Sequence, residues 1–281
     1  MKAKLQYIAA MALYGTLSLF IRHIPLESSL TALCRAVIAL ISLLAMQAAR
    51  GRLPRLGGMG GDLARLFLSG AAMGFNWIFL FEAYRYTTVS VATLSYYFAP
   101  VLVMALSPVL FGERLTKKQM LCFAGSTVGL ILVVNAGGFE GGTHLKGVAF
   151  GLAAAALYAS VILMNKRITR VSGIDRTIMQ FAAAALVLLP YALSTTGLRF
   201  DGMTSLGWAC LLCVGVAHSG LAYVLYFSAL RSLPGQEAAI LSYIDPLVAV
   251  AISMTVLGEP VTAPQMVGGA MILAFTLANE L

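Results

Sequence analysis

"FEAYRYTTVSVATLSYYFAPVLVMALSPVLFGERLT" (81–116) and "FSALRSLPGQEAAILSYIDPLVAVAISMTVLGEPVT" (227–262) align without a gap at a constant offset of 146. Phe81 meets Phe227, Arg85 meets Arg231, Tyr97 meets Tyr243 and Pro100 meets Pro246. The closing phrases share Gly112/Gly258, Glu113/Glu259, Thr116/Thr262 and Gln119/Gln265. Earlier in each half, "ALYG" from Ala12 answers "ALYA" from Ala156. One unit is written twice.

The medium that surrounds the unit follows from composition. Hydrophobic residues make up 60% of the chain and charged residues 11%, with a mean hydropathy of +0.88. A soluble domain carries roughly 25% charged residues. Apolar runs recur along the whole length, each long enough to cross a hydrocarbon core of about 30 Å as a helix. They lack the polar–apolar alternation of a membrane β-barrel. Ten spans are expected near 4–21, 28–48, 64–81, 88–111, 117–136, 146–165, 175–194, 205–228, 237–257 and 263–279. The fold class is thus all-α integral membrane, with one five-helix repeat over 1–138 and a second over 145–281. Five is odd, so the second repeat enters the membrane from the opposite side and the repeats are inverted.

The net charge of +8 points to membrane topology rather than to nucleic acid. With the N-terminus inside, Lys2, Lys4, Arg50, Arg52, Arg55, Arg65, Arg114, Lys117 and Lys118 lie on one side, as do Lys166, Arg167, Arg170, Arg176 and Arg231. Arg22, Arg85, Lys146 and Arg199 are left for the other. The positive-inside rule then puts both termini in the cytoplasm of a multi-pass protein of the plasma or inner membrane. Cys34, Cys122, Cys210 and Cys213 fall in apolar runs and read as small buried hydrophobes rather than metal ligands.

Paired inverted repeats, "LSYIDPLVAVAISMTVLGEPVT" and its partner ending "FGERLT" resemble the EamA-type members of the drug/metabolite transporter superfamily in their ten-helix form. The resemblance covers the whole chain. It implies a central cavity lined by spans 1, 3, 4, 6, 8 and 9. It also implies export of a small metabolite, with drugs, nucleosides and import as alternatives within the same fold.

The residues themselves nominate a site. Pro100 and Pro246 sit within spans 4 and 9, where each removes a helix hydrogen bond and can act as a hinge or a packing kink. Asp245 lies about 12 Å deep at ~1.5 Å per residue. It is a candidate for a proton or a cationic group, or a structural partner of a hydroxyl or of Arg35. Arg35 could pair with Asp245 at the margin of reach, hold a substrate carboxylate or snorkel to the surface. Tyr14, Asn76, Trp77, Tyr97, Tyr158, His218, Tyr223 and Tyr243 are the candidate substrate-binding residues, forming aromatic walls from both halves. His218 is either a neutral hydrogen-bonded residue or a proton carrier. Tyr7, Tyr84 and Tyr86, near span ends, read as interfacial anchors.

Thr116-x-x-Gln119 and Thr262-x-x-Gln265 read as capping boxes after Gly112 and Gly258. Glu113 and Glu259 are expected beside the positive end of the following helix, with a gate or proton site as the alternative. The Gly70/Gly74, Gly125/Gly129 and Gly147/Gly151 pairs suit close helix packing within the bundle, or less directly a dimer contact. No nucleotide-binding loop is present. Neither a nucleophile with its base nor a cluster of metal ligands is embedded in the spans, so a membrane enzyme is a remote alternative and no catalytic residue, metal or cofactor is assigned. The expectation is a secondary transporter of a small molecule such as an amino acid or related amine, monomeric or homodimeric, working by alternating access with protons as a candidate coupling ion.

Overall fold

A computed structural model describes residues 2–51, 62–112, 116–135, 142–168, 171, 173–230, 233 and 241–280. Glu113, Arg231, most of the connection after Arg50 and the expected start of span 9 at 237 lie outside the described residues. Among those described, every regular element is a helix. Seven helical stretches are long and apolar enough to cross a membrane, and Ile244–Thr255 and Ala263–Ala278 are shorter apolar helices.

The single-helix spans are Ser28–Ala49 (span 2), Leu63–Tyr86 (span 3), Lys117–Asn135 (span 5), Gly142–Arg167 (span 6), Gly173–Thr195 (span 7) and Ala263–Glu280 (span 10). The remaining spans carry irregularities. Span 1 divides into Lys2–Gly15 and Leu17–Ile21 around Thr16, whose hydroxyl donates to the Leu13 carbonyl at 2.8 Å. Span 4 divides into Val89–Tyr96 and Ala99–Phe111, and the described part of span 9 turns at Tyr243 before Ile244–Thr255. Pro100 and Pro246 thus stand in the first turn after a break, where a missing amide leaves no helix bond unmade. Span 8 runs from Ser205–Cys213 through a π-helical segment, Val214–Leu221, into Ala222–Leu230.

Each half packs chiefly on the other. Span 3 lies on spans 6 and 7, as span 8 lies on spans 1 and 2; span 4 lies on span 6, as span 9 lies on span 1. Spans 2 and 7, 4 and 9, and 5 and 10 pair with their own counterparts. Adding five to each number maps this contact pattern onto itself, as a pseudo-two-fold axis in the membrane plane requires. At the span 5–span 10 crossing, Gly129 and Gly268 meet so closely that a Cβ on either would strike the other's carbonyl oxygen. The largest core joins spans 2, 3, 7 and 8 around Leu30, Leu43, Phe81, Phe181, Leu188 and Leu211. Val109, Leu121 and Leu186 face outward, as a lipid-bathed surface allows.

Both capping boxes form. The Thr116 amide donates to Gln119 Oε1 at 2.9 Å and the Gln119 amide returns to Thr116 Oγ1 at 3.2 Å. At the matching corner, Thr262 and Gln265 exchange the same bonds at 2.9 and 3.4 Å. Gly112 and Gly258 hold φ of 67° and 62°, a left-handed conformation that ends the preceding span.

Candidate functional site

The broken spans 4 and 9 bring the Asp245 carboxylate to a hydroxyl of the other half. Tyr97, at the end of Val89–Tyr96, donates its OH to Asp245 Oδ2 at 2.6 Å, and Asp245 occupies the first turn of Ile244–Thr255. The free amides of that turn favour a negative charge there. Span 1 closes over the same point: a Cβ on Gly15 would lie 2.6 Å from the Asp245 carbonyl oxygen.

Two groups of aromatic residues wall the region around this pair. Tyr96 packs on Tyr158 with ring centres 5.4 Å apart, and Tyr14 meets Tyr223 edge-on at 5.9 Å. Phe181 connects Tyr223 at 5.3 Å to Trp77 at 5.5 Å. The Arg35 guanidinium carbon lies 4.5 Å from the Trp77 ring centre and 5.9 Å from that of Phe81, while its Nε donates to Ser219 Oγ at 2.9 Å. Tyr14, Tyr84, Tyr96 and Tyr223 lie within electrostatic reach of Arg35, and Tyr84 and Tyr96 also feel Asp245.

At the Arg22 end of the bundle a pocket of about 790 Å³ opens between the span 1–2 and span 3–4 connections, with Thr31, Tyr84 and Arg85 in its lining. Its lining shares Phe81, 1% exposed, with the Arg35 site. Glu259 clasps this rim: it ion-pairs with Arg22, accepts the Val89 amide of span 4 at 2.8 Å and accepts the Ser253 hydroxyl at 2.5 Å. Arg85 adds bridges to Glu27 at 2.8 Å and Glu82 at 3.2 Å.

The EamA-like transporter family matches residues 1–135 and again 145–279. The chain belongs to the EamA-like transporter family. It is 26% identical over 284 residues to the uncharacterized transporter YxxF of Bacillus subtilis (strain 168), covering 97% of this chain and 87% of that protein. It is 29% identical over 189 residues to a protein of Salmonella typhimurium (strain LT2) named a probable amino-acid metabolite efflux pump, covering 63% of this chain and 62% of that one. A solved crystal structure superposes with a TM-score of 0.65 at 21% identity, covering 99% of this chain and 96% of that chain, a likeness of fold.

Within this EamA-like bundle the expected residues separate into two groups. Tyr14, Trp77, Tyr97, Tyr158, Tyr223, Arg35 and Asp245 gather at the wall. Asn76 and His218 serve the packing around it. Asn76, 2% exposed, donates to the Ala154 carbonyl at 2.6 Å and so ties span 3 to span 6. His218, 1% exposed, lies in the π-helical segment between Thr16 Oγ1 at 3.0 Å and the Cys213 carbonyl at 3.3 Å, against the Phe20 ring. Tyr243 is buried at the turn that starts Ile244–Thr255.

Three expectations are corrected. Arg35 neither snorkels nor pairs with Asp245: it is 4% exposed, and its aromatic neighbours hold it inside. Glu259 is seated at the start of Val89–Tyr96, in the other half, rather than at the helix that follows it in sequence. Of the tyrosines read as interfacial anchors, Tyr84 belongs to the cavity and Tyr7 is 3% exposed against Tyr226 at 5.4 Å; Tyr86 stacks on Phe150 under Lys146, as an anchor would. Sequence reading passed over Tyr96 and Phe181, although Phe181 stands 146 residues after Arg35, so that the repeat itself marks its place.

Proposed function

We propose that the chain is a secondary transporter that exports a small metabolite, an amino acid or related amine, by alternating access. In this reading repeats 1–138 and 145–281 rock about the Tyr97–Asp245 contact. Both termini face the cytoplasm of the plasma or inner membrane, and the Arg22 rim faces out. The observation that carries it is the hydrogen bond from Tyr97 to Asp245 across two broken spans of opposite halves. Transporter sites form at such breaks, because interrupted helices put polar groups at the membrane midplane. Asp245 offers a carboxylate to an ammonium group or a coupling proton, and the aromatic wall offers apolar and cation–π contact. The efflux-pump name of the Salmonella relative supports the cargo class and the direction. Glu259, Arg22 and Val89 tie spans 1, 4 and 9 together at the outer rim, and in this reading their release accompanies the change of access.

The experiment is flux into and out of liposomes containing only this protein, with a panel of amino acids, amines, nucleosides and sugars. Protein-dependent movement of an amino acid or amine, lost in Asp245→Asn while the variant stays folded, is the expected result. Absence of flux for every compound overturns the transporter reading; flux of nucleosides or sugars alone overturns the cargo class.

A further inference from the structure

We propose that Arg35 is the carboxylate receptor of the central site, so that the cargo is a zwitterion held between Arg35 and Asp245 rather than a simple amine. This inference rests on the transporter reading and narrows its cargo.

Arg35 is 4% exposed, yet it carries a charge that no described carboxylate compensates. Only its Nε is engaged, by the neutral Ser219 hydroxyl, which in turn donates to the Val214 carbonyl. A buried guanidinium without an anion is costly, and its two terminal nitrogens form a fork matched to a carboxylate. The Trp77 face holds the guanidinium carbon 4.5 Å from its ring centre without using the donors of the fork.

The site also has an opposite pole. Asp245 has the Tyr97 hydroxyl as its partner and makes no ion pair among the described residues. Tyr84 and Tyr96 lie within electrostatic reach of both charges. A cation and an anion that share tyrosine neighbours, each without a counter-ion among the described residues, give the site two opposite poles. An α-amino acid presents the reverse dipole, its carboxylate toward Arg35 and its ammonium toward Asp245. An amine leaves Arg35 uncompensated; a plain carboxylic acid does the same to Asp245. A buried polar group left without its partner is what gives a site discrimination. The repeat supports the assignment, because the position matching Arg35 is Phe181 and the position matching Asp245 is Ala99. Neither charge is required by the scaffold that the halves share.

Trp77 provides a local readout. The chain has two tryptophans, and Trp208 is 43% exposed at the start of span 8, stacked on Phe200 rather than on the Arg35 wall. In full-length Trp208→Phe protein in nanodiscs, fluorescence reports on the ring that carries Arg35. The probes are the twenty standard L-amino acids, the decarboxylated amine of each and the methyl ester of each. At least one amino acid should give a saturable change, with its amine and ester at least about tenfold weaker. Arg35→Gln should reduce that ratio to near unity, and Arg35→Lys should retain part of it. A thermal-unfolding midpoint close to the parent's checks that the Arg35 variants are folded. Equal binding of acid and amine by the parent protein overturns the inference, as does an acid preference that survives Arg35→Gln in folded protein. If liposome flux is robust but selects amines, this inference fails and the transporter reading stands; if no compound moves, the transporter reading fails as well.

Discussion

Spans 4 and 9 are the same device with different contents. Both turn just before a proline that opens the following helix, at Tyr97–Phe98 in one and Tyr243 in the other. In span 9 the residue before proline is Asp245; in span 4 it is Ala99, 1% exposed. The half without the acid supplies the hydroxyl that meets it. Arg35 and Phe181 repeat the lesson: one lies over Trp77, the other meets Tyr223 edge-on, and only one is charged. Symmetry provides two breaks and two aromatic floors; single substitutions in opposite halves turn them into one polar site.

The comparison can be broken most severely at Asp245. Asp245→Asn keeps the size and loses the charge, and transport should fall by about 10- to 100-fold while the detergent-solubilised protein stays monodisperse. Moving the acid to the matching place, with Ala99→Asp added to Asp245→Ala, should not restore flux, because the new acid stands in the buried setting of Ala99 and Arg35 remains in the first half. Recovery of transport would mean that the two breaks are interchangeable.

A second effect of similar kind is steric. Gly15→Val places side-chain atoms against the Asp245 carbonyl and Val248, so thermal stability should drop by about 1–3 kcal/mol and flux with it. At the outer rim, Glu259→Gln removes the charge that joins Arg22 to the span 4 amide. A membrane-impermeant thiol reagent should then label Thr31→Cys, in a background without native cysteines, several-fold faster. Unchanged labelling would reduce Glu259 to a local cap. The smallest effect tests equality rather than difference: Thr116→Ala and Thr262→Ala should each cost about 1 kcal/mol in thermal unfolding, because the two capping boxes make the same bonds.

What the sequence made legible is what local chemistry decides. Span positions follow from apolar length, the inversion from an odd count and the corners from Gly, Thr and Gln at fixed spacing. The prolines marked both breaks. Thr16 and the π-helical segment around His218 carry no such marker, since they meet through a hydrogen bond 202 residues apart in sequence. The partners of Asn76 and Tyr84 are hidden for a related reason: in a span, periodicity separates lipid from interior but does not separate a packed helix contact from a cavity. Ala154 decides the first and Arg35 the second, and both lie on other spans.

The exchange of partners between halves has a consequence for biogenesis. Span 3 enters the membrane with Asn76 before the Ala154 carbonyl has been synthesised, and span 2 enters with Arg35 before Ser219 exists. A nascent chain emerges N-terminus first. Asn76 waits 78 residues for its partner and Arg35 waits 184, and the first repeat packs chiefly on spans that are made later. The molecule therefore assembles late and as a whole, and a chain that stops after the first five spans is a substrate for quality control rather than half a transporter.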